Sequence, residues 1–348
     1  MDTYYHTTYQ SCPKVTSYLA SPDFLLLSCH IGSVFNFIFS FYTVFLILKK
    51  SPPAMKSAVP FMINLAIWTW ICDLLWSVLM LPMLFVPIIG ASCNGILCPF
   101  LSAKLLTWIA FAAIGVMGIS IVSMFEQRQR SIVMRSRFVM RKRTTRFILF
   151  SILYTYHLNF GLPEVITWPQ DQENAKLSHL NLVPCPPEIY FTSKSYILQL
   201  DAKLLSPHMC VSIILGSSTC LFYAFHTLYH LLPKNNPSMS ASTRKMLMNF
   251  FIAMLIQCSI PTFVIIVPTL YWNMSASFGF YSQELNNVSI FFFTMHGVSG
   301  SIATCCLYGP YRKYTKTLIM NKILRFPEKQ SSTVVSFAGR TRQRETKI

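Results

Sequence analysis

The chain has 348 residues, 53% of them hydrophobic and only 12% charged, with a mean hydropathy of +0.46. A soluble globular protein carries about 25% charged residues, so an ordinary soluble enzyme, a disordered tail and an acidic structural protein are excluded. The few charges are lopsided, with 29 Lys and Arg against 12 Asp and Glu. That balance fits nucleic-acid binding or a membrane protein with basic loops on one side, and a nucleic-acid-binding domain would not be this oily.

Residues 1–23 are polar and lack the basic start and short apolar core of a cleaved signal peptide. The first span is therefore expected to act as its own uncleaved signal. Seven apolar stretches follow, at Phe24–Leu48, Val59–Phe85, Leu101–Phe125, Phe147–Trp168, Met209–Leu232, Met246–Trp272 and Val288–Tyr308. A helix needs roughly 20 apolar residues to cross a bilayer core about 30 Å thick. The runs are unbroken rather than alternating, which predicts helices and not barrel strands. The expected fold is an all-α, seven-transmembrane helix bundle over residues 24–308, followed by a basic tail over 309–348.

Charge orients the bundle. Of the 29 basic residues, 24 fall in the first, third and fifth connections and the tail. Positive loops stay cytoplasmic, so the N-terminus is expected outside and the C-terminus inside. After the seventh stretch, a basic, partly apolar segment to Phe326 reads as a short helix on the inner leaflet. The Ser- and Thr-bearing residues beyond it read as a disordered tail.

An ionisable group inside a span is costly and marks a functional candidate. Asp73 lies mid-way along the second stretch, where it would hold a sodium ion, titrate, clamp a polar network, or simply pack as a hydrogen-bonded acid. Lys104, Glu126 and Glu164 fall within about a turn of span ends, where long side chains reach the interface. The third stretch has no acid in its outer half to pair with a cationic amine, and the seventh has no Lys for a Schiff base. These absences favour a site that reads shape, aromatic contacts and hydrogen bonds, although the pocket residues themselves are not legible. His226 and His230 share a helix face, but zinc needs further ligands and no metal or other cofactor is expected. No phosphate-binding glycine loop or serine elbow is present, so no catalytic residue is assigned.

On the outer side, Cys12, Cys93, Cys98 and Cys185 face an oxidising space. A Cys98–Cys185 bridge, which would pin the long loop after the fourth span over the bundle, is favoured over a Cys93–Cys185 bridge. Asn273 and Asn287 head glycosylation sequons. On the inner side, Glu126 and Arg128 end the third stretch two residues apart, so on one helix they do not face each other. The arginine suits a partner's carboxylate or carbonyl, or a lipid phosphate. Pro261 and Pro268 lie in the sixth stretch, where proline removes a helical hydrogen bond and bends the helix.

Several segments together resemble the nematode serpentine chemoreceptors, most closely class H. They are Tyr18-Leu19-Ala20-Ser21-Pro22-Asp23-Phe24-Leu25, Ser51-Pro52-Pro53-Ala54-Met55-Lys56-Ser57, Trp68 with Asp73, Phe125-Glu126-Gln127-Arg128, and His296-Gly297 with Pro310-Tyr311-Arg312. Ala66 departs from that pattern, standing where a His is usual. The resemblance implies a G protein-coupled chemosensory receptor in the plasma membrane of sensory neurons, on their cilia. Its partners would be a small odorant or pheromone-like ligand, a heterotrimeric G protein and membrane lipids, with no nucleic acid. Glu126, Arg128, Tyr311 and Arg312 would then form the coupling region. The alternative is a multi-span channel or transporter, against which the odd span count and single mid-span acid weigh.

Overall fold

A computed structural model describes residues 1–13, 17–133, 136–183, 185–200 and 207–320. Seven main helices form the bundle: α1 (Pro22–Lys50), α2 (Val59–Leu79), α3 (Ala103–Ile132), α5 (Pro207–Leu231), α6 (Ala241–Phe278) and α7 (Gln283–Leu307) are long and apolar enough to cross a membrane, and α4 (Arg143–Leu158), of 16 residues, is shorter. A short helix, α8 (Gly309–Leu318), follows. The chain punctuates these helices itself. Ser21, Ser102 and Ser240 cap α1, α3 and α6, each hydroxyl accepting a backbone N–H three residues on. Gly279 ends α6 at φ 68°, a left-handed position that glycine adopts without strain.

α3 is the central strut, packed against α2, α4 and α5. Of its most apolar stretch 61% is buried, against 17% in α5. α7 closes the bundle against α1 and α6. Large apolar side chains cover the outside, among them Phe37 and Phe41 on α1, Ile214 and Phe225 on α5, and Phe263 on α6. Such a belt is intolerable in water and natural against acyl chains.

The second span stops short of the expected Phe85. After a wider turn at Leu75–Leu79 the chain leaves the helix, because Pro82 lacks an N–H and the backbone at Gly95 packs directly on the Leu79 carbonyl. The remaining apolar residues are buried in a cap rather than turned to lipid, with Leu81, Met83 and Phe85 fully enclosed. There β1 (Pro82–Leu84), β2 (Gly90–Cys93) and β3 (Ser195–Ile197) form an antiparallel sheet in that order, Met83 opposite Ser92 and Ala91 opposite Tyr196. The start of α7 anchors it: Gln283 Nε2 donates to the Leu84 carbonyl at 3.1 Å and Asn286 Nδ2 to that of Val86 at 3.0 Å.

The fourth span also differs. In place of one helix over 147–168, α4 ends at Leu158 and a five-residue helix, Leu162–Ile166, resumes beyond a break. Pro163 cannot donate a helical hydrogen bond, and Gly161 lies so close to α3 that a Cβ there would stand 2.4 Å from the Phe111 Cβ.

The Cys98–Cys185 expectation is overturned. The chain between Cys93 and Cys98 folds back on the end of α2, with Gly95 N donating to the Met80 carbonyl at 2.8 Å. That turn brings Cys98 to Cys93, Cα atoms 5.8 Å apart, and the two pair. Cys185 bonds Cys12 instead, Cα to Cα 5.7 Å. The long loop is therefore tied to the N-terminal segment, where Tyr5 and Tyr9 pack on Phe191. Asn287 also fails as a glycosylation acceptor in this fold. It is fully buried, its amide donating to the Leu19 and Ser21 carbonyls. Asn273 lies inside α6, its amide donating to Thr269. The expected end of the surface helix at Phe326 and the expected disordered tail lie outside the described residues.

Candidate functional site

Asp73 does not stand alone. Two turns of α2 below the cap it meets α1 and the middle of α7. His296 Nδ1 lies 2.9 Å from Asp73 Oδ1, and Asn36 Nδ2 donates to Oδ2 at 2.6 Å. Ser40 Oγ donates on to Asn36 Oδ1 at 2.9 Å. All four residues are buried. Gly297 makes the approach possible, since a Cβ there would fall 1.8 Å from Asp73 Oδ2. Its neighbour Met295 is where α7 breaks into Gln283–Thr294 and His296–Leu307. His296 is isolated in the sequence; only the small residue beside it hints at a close neighbour.

A cavity of about 60 Å³ opens below this cluster, lined by Ala66, Thr69, Gln257, Pro261, His296 and Ser301 among others. Small-molecule pockets run from about 300 Å³. The space is therefore slack around the proline of α6 rather than a ligand pocket. Pro261 and Pro268 both lie inside α6, and Pro261 faces Gly300 of α7, where an added Cβ would stand in ordinary contact 3.5 Å from the ring.

At the basic end, Glu126 and Arg128 go separate ways, as their spacing requires. Glu126 is 1% exposed and receives both arms of Arg146 from α4, Nε at 2.8 Å and Nη2 at 2.7 Å. Arg146 was only one of a run of basic loop residues in the sequence; the fork geometry singles it out. Arg128 is 5% exposed, and no hydrogen bond or ion pair to it occurs among the described residues. Its electrostatic neighbours are Tyr308 and Tyr311. Those hydroxyls are engaged elsewhere, Tyr308 donating to Gln257 Oε1 at 2.8 Å and Tyr311 bonding Ser51 Oγ at 2.5 Å. The arginine thus sits where α3, α6, α7 and the first basic loop converge. Arg312 is exposed, its guanidinium 3.4 Å from the Cys306 carbonyl.

Other candidates resolve differently. Both ring nitrogens of His226 are occupied, Nδ1 by Gln129 at 2.9 Å and Nε2 by Ser136 at 3.1 Å. Among the described residues no group of three His, Cys, Asp or Glu is arranged for a metal ion. Glu164 does not reach the interface: it is 3% exposed. In the cap, Lys176 donates to the Thr192 carbonyl at 2.9 Å, and burial holds its ammonium below the usual lysine range against the opposing pull of Glu173. Burial likewise pushes the Tyr196 phenol up to about 12.

The sequence pattern of the serpentine type 7TM GPCR chemoreceptor Srh family matches residues 20–321. The chain belongs to the class H serpentine chemoreceptors. Serpentine receptor class H-72 of Caenorhabditis elegans is 26% identical over 331 residues, covering 92% of this chain and 93% of that one. The fold is similar to squid rhodopsin, with a TM-score of 0.53 at 10% identity over 93% of this chain and 92% of the other. This class H receptor is thus a multi-pass seven-helix membrane protein of a receptor family, not an enzyme. The Asp73–His296 pair and the buried Arg128 lie within the matched region.

Proposed function

We propose that this receptor stands in the plasma membrane of chemosensory neurons, on their cilia, with its cap outside and its basic end in the cytoplasm. A small odorant or pheromone-like molecule enters at the cap end and favours one arrangement of the helices over another. A heterotrimeric G protein reads the change at the basic end. The observation that carries this reading is Arg128, a buried cation with no partner among the described residues while Glu126, two residues earlier, is held by Arg146. A buried guanidinium left unpaired is expensive, and a partner's carboxylate or carbonyl would satisfy it. Tyr311 and Arg312 brace the wall on the α7 side, and the slack at Pro261 gives α6 room to swing away from it. The concentration of basic residues at this end supports its cytoplasmic placement.

The test is Arg128→Gln in cells expressing the receptor with a calcium readout. The ligand-evoked response should be lost while surface display and ligand binding persist. A response equal to wild type would remove Arg128 from the mechanism. A ligand-gated current in cells lacking G proteins would favour a channel.

A further inference from the structure

Buried polar atoms in native proteins have partners, and each exception asks for an explanation. Among the described residues some of these exceptions are single atoms elsewhere, at Asp73, Trp76, Thr227, Arg244 and His296, and the rest fall on one side of the bundle. Both carboxylate oxygens of Glu164 are buried without a hydrogen bond, and so are Trp108 Nε1, His157 Nε2, His208 Nε2 and Ser212 Oγ. These residues belong to α3, α4 with its short continuation, and the start of α5.

The packing places them at two levels. α3 and α4 run antiparallel, since Gly115 faces the His157 carbonyl and Gly161 faces Phe111. The short helix that carries Glu164 packs on α3, and continuing the same register one turn toward the cap brings Glu164 level with Thr107 and Trp108. An aromatic pair stands there too: Tyr196 receives a hydrogen bond from Thr107 Oγ1 at 3.4 Å and stacks on Trp168 at 5.0 Å. About two turns deeper, Tyr156 holds the imidazole of His208 at 4.9 Å and that of His157 at 5.4 Å. The break at 159–161 separates the levels, and irregular backbone at membrane depth is tolerated where it is buried in protein or lines a cavity.

We propose that Glu164 is the counter-ion of a protonated amine carried by a small ligand, bound between α3, α4 and the start of α5. The fourth span thereby supplies the carboxylate that the third span lacks. The ammonium donates to the Glu164 oxygens against the faces of Trp108, Trp168 and Tyr196, an aromatic setting that favours a cation. The orphaned His157, His208 and Ser212 atoms accept or donate to polar groups at the ligand's far end. This inference rests on the receptor reading in taking the occupant to be an external small molecule.

The experiment compares phenethylamine with its neutral counterpart phenethyl alcohol, and tryptamine with tryptophol, on the full-length receptor in lipid nanodiscs. The amines should raise the thermal midpoint and the alcohols should not. Glu164→Gln should weaken amine binding about tenfold or more, the range of a hydrogen bond to a charged group. Its ligand-free midpoint should be no lower than wild type, because the substitution removes an uncompensated carboxylate and keeps the volume. Trp108→Phe should weaken the same amines less. Amines and alcohols shifting alike, no amine shifting the midpoint, or Glu164→Gln binding amines as wild type would each overturn the site. A calcium response to neutral odorants with silence to amines would overturn the amine assignment and leave the receptor reading. Amine binding that never evokes a G protein response would leave the site and overturn that reading.

Discussion

Glu126 and Asp73 show two ways of keeping a carboxylate inside a bundle. Glu126 takes a forked guanidinium from Arg146, and removing one partner of a buried pair leaves the other charge uncompensated, at about 3–5 kcal/mol. Arg146→Ala should therefore lower the thermal midpoint in detergent sharply. Adding Glu126→Gln should restore most of the loss, because the stranded charge disappears with it. Equal destabilisation by the single and double variants would show that Arg146 acts through packing alone. Asp73 relies on shape as well as charge. At Gly297 an added Cβ falls 1.8 Å from Asp73 Oδ2, so the carboxylate must move, stretching its hydrogen bond from Asn36 and its close contact with His296. Gly297→Ala should cost about 1–3 kcal/mol, the range for overpacking a tight core, read as a lower midpoint. An unchanged midpoint would mean that α7 gives way freely at Met295.

The helices themselves were legible wherever hydropathy was the deciding force. α1, α3 and α6 contain the long apolar runs at their places, although α3 continues past Phe125 to Ile132 and α6 extends over Ala241–Phe278. The break in α4 was not, because it depends on which residues of another helix stand opposite Gly161, and a single chain's hydropathy carries no record of rotation about a helix axis. The same blindness hid the partners of Asp73 and Glu126: His296 and Arg146 are adjacent to them only in space. α3 offers an internal control on this point. Gly115 and Gly118 are three residues apart, yet a Cβ at Gly115 would stand 2.0 Å from the His157 carbonyl while at Gly118 nothing lies within 4 Å. Gly115→Ala should push α4 away and destabilise by about 1–3 kcal/mol. Gly118→Ala should be neutral or stabilise by up to about 1 kcal/mol through helix propensity. Thermal midpoints of both variants settle it, and equal effects would refute the proximity of α4 at Gly115.

At the scale of the molecule, one end is tied covalently and the other is not. The two bridges differ in what they close: Cys12–Cys185 spans 173 residues and Cys93–Cys98 only 5. Loop-closure entropy grows with the logarithm of loop length, so for a random coil the long bridge would be worth about 3 kcal/mol more. A membrane protein is not such a coil, because its spans stay helical in the bilayer when tertiary packing is lost. Only the connecting segments gain freedom, so the difference shrinks below that figure but keeps its sign. Cys12→Ser with Cys185→Ser should therefore lower the midpoint more than Cys93→Ser with Cys98→Ser. The long bridge also fixes the N-terminal aromatics against Phe191 over the cap. Its loss should raise the ligand concentration needed for half response and leave the maximal G protein response intact, since the Arg128 region lies at the far end. A maximal response that collapsed with unchanged ligand sensitivity would place the disulfide's role in transmission rather than at the ligand's door.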